Sequence, residues 1–464
     1  MVSNVQRLIL LIALVLALPN LNLAQRTTAT FAGIVQDPSG AVLPGVEASL
    51  INEGTSAALQ TVTNETGEFL IDFVPPGTYT LKLALPGFKG YESRGIPLGA
   101  AQSVRRTYTL EVGSITDSVT VTGEAPLVNT LSPEQRSTLD TLQVMNLPMI
   151  NRNVTSIIEY SGAGLTKGEA LVSGAGGVRF RMNGLGGSSM TATANGTNAS
   201  GFAASNLLGG YGGFTKIDIM SADAVGEVQV IKGVIPAQYG GLSGNVSFIT
   251  KSGTNDWHGS LFHRYEGSAL SAHQPFLTTK PHSVWNQFGG SMGGPILHDK
   301  FFFFAAYEGY RQRSTTTLTN DVPTPLFRDI LRRALPFPET EINLKYYTLP
   351  NQPYGPADYL GRWIGPGLSN QDDDHFDTKL DYLIGSGNLS VTFTGAHPSQ
   401  DQAAQQPLNP RTFRGKMLRG NVSYVIGRSH WTSATYFGIN ASPGQRIEKF
   451  FNERDPSIRL RMTT

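Results

Sequence analysis

Few residues in this chain have the types and spacing to do chemistry. His263 and Glu266, in "HRYE", keep a His-x-x-Glu spacing used by zinc peptidases. They lie in a strand-patterned segment, where positions i and i+3 point to opposite faces, and no motif places a third ligand. A plain strand is the simpler reading. "QDDDH" at 371–375 gathers three carboxylates and an imidazole. That donor set could ligate calcium, but a solvated loop is by far the better reading. "GAGG" (174–177) and "GLGG" (184–187) lack the spacing and strand-to-helix setting of a phosphate-binding loop, and read as close-packed loops. No Ser/His/Asp set has a recognisable context. The absence of cysteine excludes disulfides, thiolate metal sites, cysteine nucleophiles and a lipid-bearing cysteine. The expectation is a protein that is not an enzyme, with no catalytic residues, no metal and no cofactor.

What remains must be explained by the elements themselves. The chain has 464 residues, enough for two to four domains, and only 15% are charged, against roughly 25% in an average soluble domain. The net charge of +1 gives no electrostatic case for nucleic acid. At the N-terminus, Arg7 precedes the unbroken apolar run Leu8–Leu18; Pro19 ends it and Ala24 offers a small residue for cleavage. The run is too short for the ~20 residues that cross a bilayer as a helix. It has the layout of a secretory signal peptide over residues 1–24, a short buried helix being the alternative. No later run is long enough, so any crossing must use strands.

Residues 25–113 read as all-β. Strand-like runs are punctuated by Asp37-Pro38-Ser39-Gly40, Asn64–Gly67 and Pro75-Pro76-Gly77, turns in which proline presets φ and glycine permits φ > 0. Strands of this length and spacing predict a small β-sandwich. "GIVQDPSGAVLPGVEASL" with "ETGEFLIDFVPPGTYTLKLALPGF" resembles the carboxypeptidase-regulatory-like module, a transthyretin-like fold grouped with carbohydrate-binding-like sandwiches and distinct from the peptidase itself.

Residues 114–130 form a linker that contains one short strand pattern, "DSVTVTG". Residues 131–252 have a different grammar. Ser132, Pro133 and Gln135 make a helix start with a capping box, and Leu139, Leu142 and Met145 recur at helical spacing, predicting a helix there. Further on, "EVQVIKG" and "GNVSFITKSG" flank a glycine-rich turn region. Val228, Val230, Lys232, Gly233, Tyr239, Gly240, Gly244, Val246, Ile249, Thr250 and Lys251 resemble the closing motif of the plug domain in TonB-dependent outer-membrane transporters. The family's proline directly after the first glycine is replaced here by Val234.

From 253 to 464 the chain becomes a series of short alternating segments. In "HFDTKLDYLI", Phe376, Thr378, Leu380, Tyr382 and Ile384 share one face, and Asp377, Lys379 and Asp381 the other. Leu389, Val391 and Phe393 oppose Ser390, Thr392 and Thr394 in the same way. This alternation fits a transmembrane β-barrel, and equally a soluble antiparallel sheet. "TKSGTNDWHGSLF" and "NQFGGSMGGPILHDKFFFFAAYEGYR" resemble the plug-to-barrel transition and first hairpins of Oar-like TonB-dependent receptors, which also carry the regulatory-like module in front. The stretch 322–367 reads mostly as a long loop. That leaves six to eight strands, whereas about 22 strands of roughly ten residues need ~220 residues before any loop. The expectation is a barrel truncated within this chain.

The fold class expected is therefore mainly β: an N-terminal β-sandwich, a mixed α+β plug, then an incomplete transmembrane antiparallel β-barrel. The resemblance implies a receptor in the cell outer membrane, with sandwich and linker in the periplasm. It would import a substrate (siderophore, oligosaccharide or peptide) with a TonB-type energy transducer as partner, driven by the inner-membrane proton gradient. Asp117, Ser118, Val119, Thr120, Val121 and Thr122 resemble a TonB box, an acidic residue followed by alternating β-branched ones; the alternative is a last strand of the sandwich. Arg179, Arg181, Asn183, Tyr211 and Phe214 would contact substrate or the plug–barrel boundary. The rival reading is a secreted surface protein whose sandwich binds carbohydrate.

Overall fold

The computed structural model describes residues 27–113, 118–122, 135–146, 165–168, 179–182, 190–199, 220–232, 244–272, 280, 282–385, 387–402, 411–427, 432–441 and 444–448. Residues 1–24, read from sequence as a signal peptide, lie outside them, as do the glycine-rich stretches 174–177 and 184–187.

The sandwich is built from β1 (Ala29–Gln36), β2 (Glu47–Asn52), β3 (Ala58–Val62), β4 (Glu68–Val74), β5 (Gly77–Ala84), β6 (Gly90–Leu98) and β7 (Ser103–Thr109), joined by β8 (Ser118–Thr122). One sheet has the order β4-β1-β7 and the other β3-β2-β5-β6-β8. Alternate residues of β1 are buried, and Phe31, Val35, Leu50, Phe69, Leu81 and Tyr108 fill the space between the sheets. Two of the three expected turns form for the expected reasons, while Gly77 of the third begins β5 without a positive φ. Asp37 Oδ1 accepts from the backbone N–H groups of Ser39 (2.9 Å) and Ala41 (3.0 Å), and Gly40 takes φ +86°. Asn64 Oδ1 does the same for Thr66 and Glu68, with Gly67 at φ +70°.

The plug segment contains β9 (Gln135–Asp140), α1 (Thr141–Asn146), β10 (Leu165–Gly168), β11 (Arg179–Met182), β12 (Met190–Ala194), β13 (Thr197–Asn198), β14 (Val225–Lys232) and β15 (Gly244–Thr250). The sheet order is β13-β12-β15-β14-β9, with β10 and β11 a separate pair. The two motif strands are neighbours: Val228 lies opposite Phe248 and Val230 opposite Val246. Every residue of β15 is buried, the polar Asn245, Ser247 and Thr250 along with Val246, Phe248 and Ile249.

The helix predicted from the Ser132 cap through Met145 is corrected in its first half; Ser132 and Pro133 lie outside the described residues. Residues 135–140 form β9, paired antiparallel with β14, and only Thr141–Asn146 is helical. The capping box exists but starts at Asp140. The Gln143 N–H donates to Asp140 Oδ1 (2.8 Å) and the Asp140 N–H to Gln143 Oε1 (3.0 Å). The open edge of β14 offers six residues a backbone ladder, and that tertiary pairing overrides local helical spacing.

The third region comprises β16 (His258–Gly267), β17 (Ser283–Leu297), β18 (Phe301–Pro323), β19 (Leu360–Leu368), β20 (Gln371–Ile384), β21 (Gly387–Ala396), β22 (Ser399–Gln402), β23 (Arg411–Gly415), β24 (Met417–Gly427), β25 (Thr432–Ala441) and β26 (Gly444–Glu448). Seven of them succeed one another in the order β16-β17-β18-β20-β21-β24-β25. Among the described residues, this sheet does not close on itself. The stretch 322–367, read from sequence as mostly loop, carries α2 (Pro325–Ala334), α3 (Pro338–Lys345) and β19. Thr324 caps α2 by accepting from the Phe327 N–H (3.3 Å), with Pro325 at the first helical position.

Candidate functional site

The faces of the long sheet decide what kind of wall it is. Phe376, Leu380, Ile384, Val391, Leu418, Val422 and Phe437 are exposed, with Phe393 at 41% and Ile439 at 52%. On the alternate positions Gln287, Glu308, Asp373, His375, Asp377, Thr392, Thr394, Arg419 and Asn421 are buried. A soluble sheet would bury the first set and wet the second; this one is reversed, apolar outward and polar inward, as a lipid-facing barrel wall requires. Among the described residues no helix is long and apolar enough to cross a membrane.

The inner wall holds the plug through carboxylates. Register places Glu308 of β18 opposite His375 of β20, and the two-residue strand period puts Asp373, His375 and Asp377 on the same face. Into this surface fits a short 3₁₀ turn, Ala222–Ala224, which immediately precedes β14. The Ser221 hydroxyl donates to Glu308 Oε2 (2.6 Å) and the Ala222 N–H to the same oxygen (3.3 Å). The Ser221 N–H donates to Asp377 Oδ2 (2.9 Å), whose other oxygen accepts from Thr394 Oγ1 (2.8 Å). Gln287 donates to Glu308 Oε1. Asp223 in turn accepts from Ser260 of β16 (2.6 Å). Leading backbone N–H groups without helical partners are a natural mate for anions. Glu308 and Asp377, both 0% exposed, supply them from the wall. Apolar packing continues the contact: Phe304 and Ala306 from β18 join the core of Val228, Val230, Val246 and Phe248.

"QDDDH" is corrected by the same register. It is the start of β20 rather than a solvated loop. Asp373 and His375 are buried, while Asp374 takes two hydrogen bonds from Arg311 Nη2 (2.7 and 2.9 Å) and Asp372 two from Arg313, from Nη1 (2.6 Å) and Nη2 (3.1 Å). The arginines stand on the adjacent strand, so the acidic run is neutralised across the pair. Among the described residues no group of three His, Asp or Glu could hold a metal ion. His263 sits on β16, with Nε2 3.2 Å from Asn286 Oδ1.

A second contact joins sandwich to plug. The loop after β6 presents Ala100, whose N–H donates to Glu227 Oε2 of β14 (3.0 Å). Its carbonyl accepts from Gln229 Nε2 and from Arg136 Nη1 (3.2 Å). Gln229 also donates to Glu227 Oε1 (2.6 Å). Burial raises the Glu227 carboxyl above its ordinary value; the Ala100 N–H, Gln229 and Arg136 oppose that shift, and Asp140 adds to it. A group whose value is raised in the folded chain binds its proton more tightly there, so the stability it contributes is full below the ordinary carboxylate range and is lost as pH rises through the raised value. Protection of the Ala100 amide from hydrogen exchange, corrected for intrinsic rate, should therefore fall with rising pH. Glu227→Gln should flatten that dependence, and an unchanged profile would remove Glu227 from the clasp.

The sandwich also reaches the barrel. The Asn255 N–H donates to the Gly54 carbonyl (2.8 Å), and Asn255 exchanges hydrogen bonds with Asp299 in the β17–β18 turn (2.7 and 2.9 Å). The sandwich thus stands at the short-turn end of the sheet, opposite the excursion that carries α2 and α3. A cavity of about 1960 Å³ lies between sandwich, plug and wall, lined in part by Arg136, Glu227, Lys379, Asp381, Thr392 and Asn421.

Of the residues singled out from sequence, Val228, Val230 and Lys232 lie on β14, and Gly244, Val246, Ile249 and Thr250 on β15, with Lys251 just after it. Gly233, Tyr239 and Gly240 lie outside the described residues, as do Asn183, Tyr211, Phe214 and Asp117. Arg179 and Arg181 lie on β11, paired with Gly168 and Thr166 of β10. Ser118–Thr122 is a strand, and it is paired: β8 runs parallel to β6, with Val119 opposite Tyr91 and Val121 opposite Ser93. Sequence reasoning missed Ser221, Glu308, Glu227 and Gln229. Glu308 left a signal, being the lone acid in "FFFFAAYEGY".

Sheet, plug and sandwich together define an outer-membrane β-barrel segment preceded by a small β-sandwich, and comparison with known proteins agrees. Residues 30–111 match the carboxypeptidase regulatory-like domain and residues 249–330 an outer membrane beta barrel domain. The chain is 26% identical over 273 residues to the TonB-dependent transporter Oar of Myxococcus xanthus, covering 56% of this chain and 25% of that protein. It therefore spans about a quarter of the length of that curated relative. Among solved structures it is similar to the outer membrane transporter YddB of Escherichia coli (TM-score 0.46, 12% identity, 68% of this chain and 40% of that one). The siderophore receptor PirA of Acinetobacter baumannii is a further similar structure (TM-score 0.34, 13% identity, 67% and 48%). The chain is an outer-membrane protein, and in sequence it resembles the TonB-dependent transporter Oar.

Proposed function

We propose that this chain serves in gated import through a plugged outer-membrane barrel, coupled to the inner-membrane proton gradient by a TonB-type transducer. The observation that supports this most is the 222–224 turn seated on buried Glu308 and Asp377 of a wall that is polar inside and apolar outside. Such a wall surrounds a plug, and a plug that must move needs discrete contacts that can break together. Short turns face the periplasm in outer-membrane barrels, which puts the sandwich there and makes the cavity above it an exit space. Asp117–Thr122 is the TonB box: an extended segment that joins a partner's sheet edge through backbone hydrogen bonds. Arg179, Arg181, Asn183, Tyr211 and Phe214 are assigned to substrate or to the plug–wall boundary. The imported substrate is a siderophore, an oligosaccharide or a peptide. No catalytic role and no cofactor are assigned.

Membrane fractionation of the full chain, with a binding assay against the transducer's periplasmic domain, tests this. The chain should partition with the outer membrane and bind the transducer, and deletion of residues 117–122 should lower that binding at least tenfold. Recovery as a soluble protein with glycan affinity would replace the transporter by a surface carbohydrate-binding protein.

A further inference from the structure

β8 is an addition to the sandwich rather than part of it. The carboxypeptidase regulatory-like match ends at residue 111, and the chain is anchored there. The Lys89 N–H donates to the Glu111 carbonyl (2.8 Å) and the Gly113 N–H to the Gly87 carbonyl (3.1 Å), with a bridge between Phe88 and Val112. Beyond that anchor, Ser118–Thr122 lies parallel to Gly90–Arg94, at the end of the five-stranded sheet. Five residues of parallel pairing at a sheet edge make a weak ladder. The backbone edge that β8 gives to β6 is therefore unavailable to any other strand while the pair lasts.

We propose that the sandwich stores this strand, so that β6 and the energy transducer compete for it and the module sets the threshold for coupling. This rests on the transporter reading above. In the stored state β8 is held beside the β6 edge; in the coupled state it leaves that edge and pairs with the partner's sheet. β6 itself runs directly into the Ala100 loop that clasps Glu227 and Gln229 of the plug. The stored strand and the plug clasp are thus two ends of one element.

The chain has no cysteine, so a single engineered pair can lock the strand reversibly. Glu92 and Thr120 are directly opposite in the register, and Glu92→Cys with Thr120→Cys places two thiols on adjacent strands. In the full chain the oxidised form should bind the transducer's periplasmic domain at least tenfold more weakly than the reduced form, and the reduced form should bind like the Glu92→Ser, Thr120→Ser control. Equal binding by oxidised and reduced forms would overturn storage. Failure of the disulfide to form under oxidant would overturn it too, since the two positions would not be neighbours. Deleting residues 118–122 separates the two ideas. If deletion abolishes binding while oxidation leaves it unchanged, only storage fails; if deletion also leaves binding unchanged, the box assignment fails.

Discussion

Glu308→Ala should unseat the plug. Removing this carboxylate leaves the Ser221 hydroxyl, the Ala222 N–H and the Gln287 amide without the acceptor they share, in a site from which water is excluded. Each buried donor left unmade costs about 1–3 kcal/mol, and loss of one member of a buried charged cluster about 3–5 kcal/mol in all. The expected destabilisation of the full chain in lipid vesicles, read by denaturant unfolding, is roughly 3–5 kcal/mol. Protease cleavage at the 221–224 turn should rise in parallel. Glu308→Gln keeps the shape and one acceptor oxygen, and should fall between the two. A loss below about 0.5 kcal/mol, the range of an ordinary surface change, would show that the turn is held by its apolar neighbours alone. Asp377→Ala is not equivalent, because Asp377 also faces the buried Arg419 and holds Thr394.

Gly253→Val should be nearly as damaging, for a steric reason. Gly253 lies where the plug segment passes into the first barrel strands. A Cβ there would collide with the Phe303 carbonyl and lie 2.8 Å from the Gly294 carbonyl and 2.9 Å from the Phe303 nitrogen. All three are backbone atoms of two residues paired with each other in the β17–β18 ladder. No side chain can swing aside, so relief requires breaking that ladder. Overpacking of this kind costs about 1–3 kcal/mol when neighbours can shift, and the upper end or more is expected here. The control is Gly420→Ala on β24, where the added Cβ would meet only the Thr392 carbonyl, at 3.9 Å; that change should be neutral or slightly stabilising. Outer-membrane yield and denaturant midpoint of the two variants should differ clearly, and equal behaviour would sink the close-packed junction.

The elements that were legible in the sequence are those whose identity depends on neighbours along the chain. The turns at Asp37–Gly40 and Asn64–Gly67 follow from local hydrogen bonding and glycine φ. The alternation in Phe376–Ile384 and Leu389–Thr394 follows from the two-residue strand period. The motif strands β14 and β15 could be named from Val228 to Thr250 before their partners were known. Local rules also misled. Leu139, expected in a helix with Leu142 and Met145, joined β9 because β14 had an edge to fill, and only the other two are helical. "QDDDH" looked like a loop because nothing local shows Arg311 and Arg313 on the adjacent strand.

What only the tertiary structure decided is which face of each strand meets what. Period alone makes Asp377 and Phe376 opposite, and it is silent on which of them sees lipid. The sheet settles that by exposing Phe376 and burying Asp377 against the plug turn. It is equally silent on β8. A short β-branched run can stand free or join a sheet, and the pairing with Gly90–Arg94 is a long-range choice made by an available edge. The chain thus carries in its sequence the periods, turns and motif strands of its fold. Register across strands more than sixty residues apart, which brings Glu308 beside Asp377 and the Ser221 turn, is fixed only when the chain folds, because it is set by backbone pairing and burial rather than by adjacency.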